Sequence, residues 1–244
     1  MSVEWVTQDG IKDFEKAFEP ELFARALASV CRWPSPEAFK LLPVWFPHTA
    51  RKQPLFTKRW AAQMKNQNEP KFQGNEEANR TLTQLVTKSA KDRPNWTCCH
   101  IWGNDSATGQ TGQPAVKDLR YYSCPANMVL VPTPLKGLTD SVPEVKNALR
   151  IASHRLYGFV PEGQTCPSTQ EAGPWLPDGW ADGTVSGIVS MNSVIEARVR
   201  RRAKKLIKDF NEAPNQYPTQ QVQDTIAYWK EHAPGSLLDQ TGAV

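Results

Sequence analysis

The sequence predicts an α+β chain, mostly helical, with a small hairpin-and-helix unit embedded near its middle. Three observations point there. On both flanks apolar residues recur every three or four positions, which marks amphipathic helices. Two short runs, Trp96 to Trp102 and Val129 to Val131, are β-branched, aromatic or cysteine-rich and suit strands. A helical pattern from Pro143 to Tyr157 follows the second run closely enough to pack across the pair.

Taken in order, residues 1–94 form a helical N-terminal region. Ile11, Phe14, Phe18, Leu22, Phe23, Ala26, Leu27 and Val30 lie at helical spacing, and Pro20 falls where one helix stops and another begins. Arg32-Trp33-Pro34-Ser35-Pro36 ends that pattern, because each proline disfavours helix at the residue before it. Glu37 to Leu42 predicts a short helix. Pro43 to Lys52 is aromatic and basic, with prolines that bar an interior strand. It reads either as a loop whose Trp45 and Phe46 plug the core or as a nucleic-acid contact built on Arg51, Lys52, Lys58 and Arg59. Arg59 to Met64 predicts helix, Lys65 to Asn75 a loop, and Glu76 to Ala90 an amphipathic helix with Ala78, Leu82, Leu85 and Val86 on one face.

Residues 95–160 hold the hairpin and its helix. Residues 161–193 are an irregular connection rich in Pro, Gly and Trp, and connections of that length are commonly functional or mobile. Residues 194–244 carry two helices, the first with an apolar stripe of Ile195, Val199, Ala203, Leu206, Ile207 and Phe210. Thr219 is the expected N-cap of the second.

At 244 residues the chain buries a core without staples, and its five cysteines are an odd number with no C-x-x-C pair. A disulfide scaffold is therefore not expected, and a reducing cytoplasm is. No run approaches the roughly 18 apolar residues of a membrane span, and the N-terminus lacks a signal-peptide pattern. The net charge of +4 is concentrated: Ile195 to Phe210 holds Arg198, Arg200, Arg201, Arg202, Lys204, Lys205 and Lys208 against Glu196 and Asp209, a local +5 that leaves the remainder at −1. Such placement suits a phosphate-docking face, although charged faces of amphipathic helices are also commonly just solvated.

The chemistry lies in the centre. His100 stands near the end of the first strand beside turn residues Gly103-Asn104-Asp105-Ser106, and a neutral imidazole there can take a proton from water. Asn127 stands at the start of the second strand, and antiparallel pairing brings it close to the loop after His100. A cysteine nucleophile at Cys99 is disfavoured, since neighbours on a strand point to opposite faces. Cys98, Cys99, Cys124 and Cys166 together could hold a structural zinc (Zn2+).

This order of residues, with Cys-His-Ile-Trp at 99–102, Ala-Asn-Met-Val-Leu-Val-Pro at 126–132, then Leu-Thr-Asp and Leu-Tyr-Gly, resembles the HNH (ββα-metal) endonucleases, specifically their bacterial and phage Cys-His-Ile-Trp type. The resemblance spans Trp96 to Phe159 and leaves both flanks to their own residues. It implies a metal-dependent endonuclease that hydrolyses DNA in restriction, phage defence or phage DNA processing and leaves a 5′-phosphate. His100 corresponds to the general base and Asn127 to the asparagine that holds it. One divalent cation, Mg2+ or Mn2+, would neutralise the scissile phosphate.

The chain departs from the pattern at two points. Cys99, a soft ligand, stands where many members have an acidic metal ligand. Leu135, Lys136 and Gly137 stand where the third metal-binding residue usually lies. The candidate metal ligands are therefore Asp140, which reads equally as the N-cap of the next helix, and His154, with Asp105 and Asp118 also open. DNA is the expected partner, RNA stays open, and no membrane is expected. The rival expectation is a non-catalytic nucleic-acid-binding or assembly protein that keeps the ββα shape.

Overall fold

A computed structural model of the chain describes residues 9–17, 19–46, 64–66, 69–71, 75–105, 107–108, 113–212, 219–235 and 238. Arg51, Lys52, Lys58 and Arg59 lie outside the described residues. The N-terminal flank forms α1 (Gly10–Ala17), α2 (Pro20–Val30) and α3 (Pro36–Leu41). Pro20 and Pro36 each sit in a first turn, where the missing N–H leaves no bond unmade. Ser35 caps α3 by accepting from the Ala38 amide at 3.1 Å.

A short antiparallel pair follows, β1 (Met64–Asn66) and β2 (Glu69–Lys71), and then α4 (Glu76–Val86). This pair replaces part of the loop expected from Lys65 onward and places Met64 in a strand rather than a helix. A ladder of three pairs is too short to leave an alternating pattern in the sequence.

The central hairpin is β3 (Trp96–His100) against β6 (Met128–Pro132), antiparallel, with Trp96 opposite Pro132 and His100 opposite Met128. Between them lies a second small antiparallel pair, β4 (Ala107–Thr108) with β5 (Gln113–Pro114). Asn95 enters β3 with φ of 61°, a conformation asparagine tolerates better than most residues. A third lane joins β6 from far away in sequence: the Arg32 amide donates to the Leu130 carbonyl at 2.9 Å and the Leu130 amide returns to Arg32 at 3.0 Å.

After β6 come α5 (Lys136–Ser141) and α6 (Pro143–Tyr157). Gly158 ends α6 in the left-handed region, its amide closing on the His154 carbonyl at 2.8 Å. The irregular connection holds the short α7 (Thr169–Ala172) and a 3-10 turn at Gly173–Trp175, and α8 (Ser193–Glu212) and α9 (Thr219–His232) follow.

The four segments differ in composition but share their cores. One buried cluster takes Phe23, Leu27 and Trp33 from the N-terminal flank, Val129, Val131 and Leu149 from the centre, Trp175 and Trp180 from the connection, and Tyr228 from α9. A second sets the α8 stripe against Trp45, Phe46 and Trp229. Trp45 and Phe46 are thus buried plugs. Gly187 lies so close to the α2 exit that a Cβ there would stand 2.0 Å from the Cys31 carbonyl oxygen. Among the described residues no helix is long and apolar enough to cross a membrane.

Candidate functional site

The residue that assembles the site is Asn127. Its side chain is fully buried, and its Oδ1 accepts from the Trp102 amide at 2.7 Å. Its Nδ2 donates to the Trp102 carbonyl at 3.1 Å and to the Tyr121 carbonyl at 3.0 Å. One amide therefore fixes the chain just after His100 and the turn that precedes β6. Buried amides with all these bonds made are specific, because a shifted loop would leave several polar groups unpaired.

That turn orients His100. His100 Nε2 lies 2.8 Å from the Tyr122 carbonyl, and its ring stacks on the Tyr122 ring at 5.2 Å between centroids. A carbonyl only accepts, so Nε2 carries the proton and Nδ1 is the basic nitrogen of the neutral ring. The turn is braced in its own right: the Ser123 hydroxyl accepts from the Phe46 amide at 2.7 Å and donates to the Phe46 carbonyl at 2.8 Å.

His100 opens on a pocket of about 270 Å³ whose walls include Asn75, Asp105, Tyr122, Lys136, Asp140 and Lys146. Lys146, in the second turn of α6, has a side chain only 7% exposed. Its Nζ donates to the His100 carbonyl at 3.0 Å and stands 3.7 Å from Asp140 Oδ1. Lys136 on α5 binds both oxygens of Asp140. Arg150, one turn beyond Lys146, pairs with Asp105 and lays its guanidinium 4.6 Å from the centroid of the Trp102 ring.

Burial raises the Asp105 carboxyl, but Lys146 and Arg150 more than offset it and hold the group below the ordinary carboxylate value. Burial pulls Lys136 down, yet the surrounding Cys99 and Asp140 leave it above the usual lysine value. Both groups are charged at neutral pH.

The cation implied by the resemblance does not fit these residues. A dication on Asp140 would have to displace Lys136 from both carboxylate oxygens and stand beside Lys146. A like charge at about 4 Å costs about 4 kcal/mol per unit pair even at an effective dielectric of 20. His154 does not reach the pocket: it lies two turns past Lys146 on α6, roughly 12 Å along the axis. Asp118 is bound to Arg120, which also reaches Glu162. Among the described residues no three His, Cys, Asp or Glu side chains converge on a metal position.

Asp140 is not the N-cap of α6 either, since Val142 takes that place and the Asp140 carboxylate turns to the lysines. The cysteines scatter. Cys98 belongs to one core cluster, Cys99 and Cys124 to another, and Cys166 packs against a third. All five are free thiols, and burial pushes Cys124 up to about 12 and Cys98 well above the ordinary thiol value, so both stay neutral.

The basic helix divides its cations. Arg198 donates to the carbonyls of Gln84, Thr87 and Lys88 at the end of α4, where a positive charge also suits the helix dipole. Arg202 donates to the Trp45 carbonyl at 2.6 Å and lies 4.2 Å over the Phe46 ring. Both therefore serve the fold. Arg200, Arg201, Lys204, Lys205 and Lys208 are exposed, with Arg200 also paired to Glu196.

Neither protein-family models, nor characterised proteins, nor solved structures yield a match to this chain. The residues the sequence reading passed over are Lys136 and Lys146. Lys146 shares one buried face of α6 with Leu149 and Ser153, but a lysine there carries no signal of burial in the sequence.

Proposed function

We propose that this chain is a nuclease that hydrolyses phosphodiester bonds in DNA, with His100 as general base and Asn127 as the residue that positions it. The observation that carries this reading is the fixed tautomer of His100, with Nε2 donating to Tyr122, at the wall of a polar pocket that also holds two ammonium groups. Nδ1 takes a proton from water, the new O–P bond forms, and the P–O3′ bond breaks. The 3′-oxygen is protonated from solvent, and the imidazolium returns its proton to solvent. The products are a 5′-phosphate and a 3′-hydroxyl. Exposed cations of α8 would grip the flanking phosphates, and five free thiols accord with a cytoplasmic setting.

A second reading is favoured by the burial of His100, which is only 7% exposed. On that reading the ββα unit is a scaffold and the protein binds nucleic acid without cutting it. The test is cleavage of supercoiled plasmid, single-stranded DNA and RNA, in EDTA and separately in Mg2+ or Mn2+, by wild type and His100→Ala. Cleavage by wild type alone, with DNA binding kept in the variant, supports the nuclease. Equal cleavage by both removes His100 from the chemistry, and binding without cleavage under every condition selects the scaffold.

A further inference from the structure

We propose that the pocket beside His100 is a phosphate site built on Lys136 and Lys146 that binds its anion without a divalent cation. This deepens the nuclease reading and rests on it for the identity of the phosphate as a DNA phosphodiester.

The charges in the pocket set its preference. Lys136, Lys146 and Arg150 together face the two carboxylates of Asp105 and Asp140. The balance is one positive charge, which a single phosphodiester neutralises. A divalent cation would instead raise it to three.

The donors are of the right kind. An ammonium offers three N–H groups, and the bond from Lys146 to the His100 carbonyl uses one of them. Lys136 is held by a carboxylate on its own helix turn, four residues away, so an incoming anion can share it without breaking a core contact. Asn75, a neutral polar residue, lines the same pocket.

Lys146 also has a place no surface lysine has. Its aliphatic stem is buried, which fixes the ammonium, and its hydrogen bond is to the backbone of the base itself. A phosphate held there stands beside the imidazole that would activate water against it. The same groups that bind the ground-state anion are positioned to stabilise the extra charge that builds on its oxygens during attack.

The test uses the full chain in EDTA, titrated calorimetrically with inorganic phosphate and separately with MgCl2, at constant ionic strength. Phosphate should bind, and Lys136→Gln should weaken it roughly tenfold to a hundredfold, as loss of a charged hydrogen bond does. Lys146→Met, which keeps the stem, should do the same if its melting transition is retained. Lys12→Ala with Lys40→Ala, exposed on α1 and α3, should leave the affinity for inorganic phosphate unchanged. Phosphate that does not bind in EDTA, or binds Lys136→Gln as tightly as wild type, overturns the proposal, and so does phosphate affinity that appears only with Mg2+. The nuclease reading fails separately: phosphate binding that depends on Lys136, with no cleavage of any nucleic acid, keeps the anion site and removes the reaction.

Discussion

The pocket around His100 and the exposed face of α8 are both rich in charge, yet they are built in opposite ways. Around the pocket the side chains have addresses: Lys146 on the His100 carbonyl, Lys136 on Asp140, Arg150 on Asp105, and behind them Asn127 on Trp102 and Tyr121. On α8 the apolar stripe is buried and Arg198 and Arg202 turn into the fold, while Arg200, Arg201, Lys204, Lys205 and Lys208 stand exposed on a helix anchored by Val199, Ala203 and Leu206 from below. Affinity for a polymer needs only the second arrangement. Chemistry at one phosphorus atom needs the first, since a base misplaced by an ångström loses much of its effect.

The largest effect on this contrast is expected from Asn127. Replacing it with Ala strands the Trp102 amide and two carbonyls in the core, at about 1–3 kcal/mol for each unsatisfied group. Asn127→Asp should fare no better, because a carboxylate can accept from Trp102 but cannot donate to the two carbonyls. Urea denaturation of both variants checks this, and a loss under 1 kcal/mol for either would show that the amide does not organise the site.

His100→Ala should cost about 1–3 kcal/mol by leaving the Tyr122 carbonyl unpaired, and lower cleavage by about 10²–10⁴-fold, the usual contribution of a general base. Single-turnover rates at saturating enzyme measure it free of binding effects.

Within α8 itself the two kinds of cation should separate. Arg198→Ala is expected to cost about 1–3 kcal/mol by leaving the α4 terminus uncapped. Lys204→Ala with Lys205→Ala should change stability by no more than about 0.5 kcal/mol while reducing the salt dependence of DNA binding by about two ions. If the double variant binds DNA with unchanged salt dependence, α8 is not the docking face.

The smallest expected effect concerns pH. The Asp105 carboxyl is lowered in the folded state, so it adds stability above the ordinary carboxylate value of about 4, and that contribution fades as pH falls through the folded value. Half-exposed as it is, the pair is worth well under 1 kcal/mol. Asp105→Asn should therefore be slightly less stable than wild type at pH 7, with the difference shrinking as pH falls below about 4.

Much of the frame was legible in the residues. The periods of α2, α4, α6 and α8 stand out because each buries one face, and the antiparallel pairing that sets His100 near Asn127 follows from two short strands separated by a turn-rich loop. What was hidden is what sequence encodes weakly. The Tyr122 carbonyl that orients His100 is a backbone atom and has no residue signature. The lane of Arg32 and Trp33 beside β6 and Ile188 depends on contacts across most of the chain. Lysine is the residue least often buried, so Lys146 reads as solvent-facing until α6 is seen against the hairpin. The charge of α8 was plain from composition, but which arginines turn inward depends on where α4 and Trp45 lie.

The bonds of Asn127 also bear on how this chain could change over time. The chain leaves the site at Trp102 and returns to it at Tyr121, and both points are tied to that one side chain. The segment between them is tied at both ends by one side chain, so length added within it need not disturb His100. Doubling such a loop adds only about 0.6 kcal/mol of closure entropy. Residues inserted between β4 and β5 would leave Asp105 and Val116 in the pocket wall and His100 where it is, which makes that stretch a natural place for the chain to diverge.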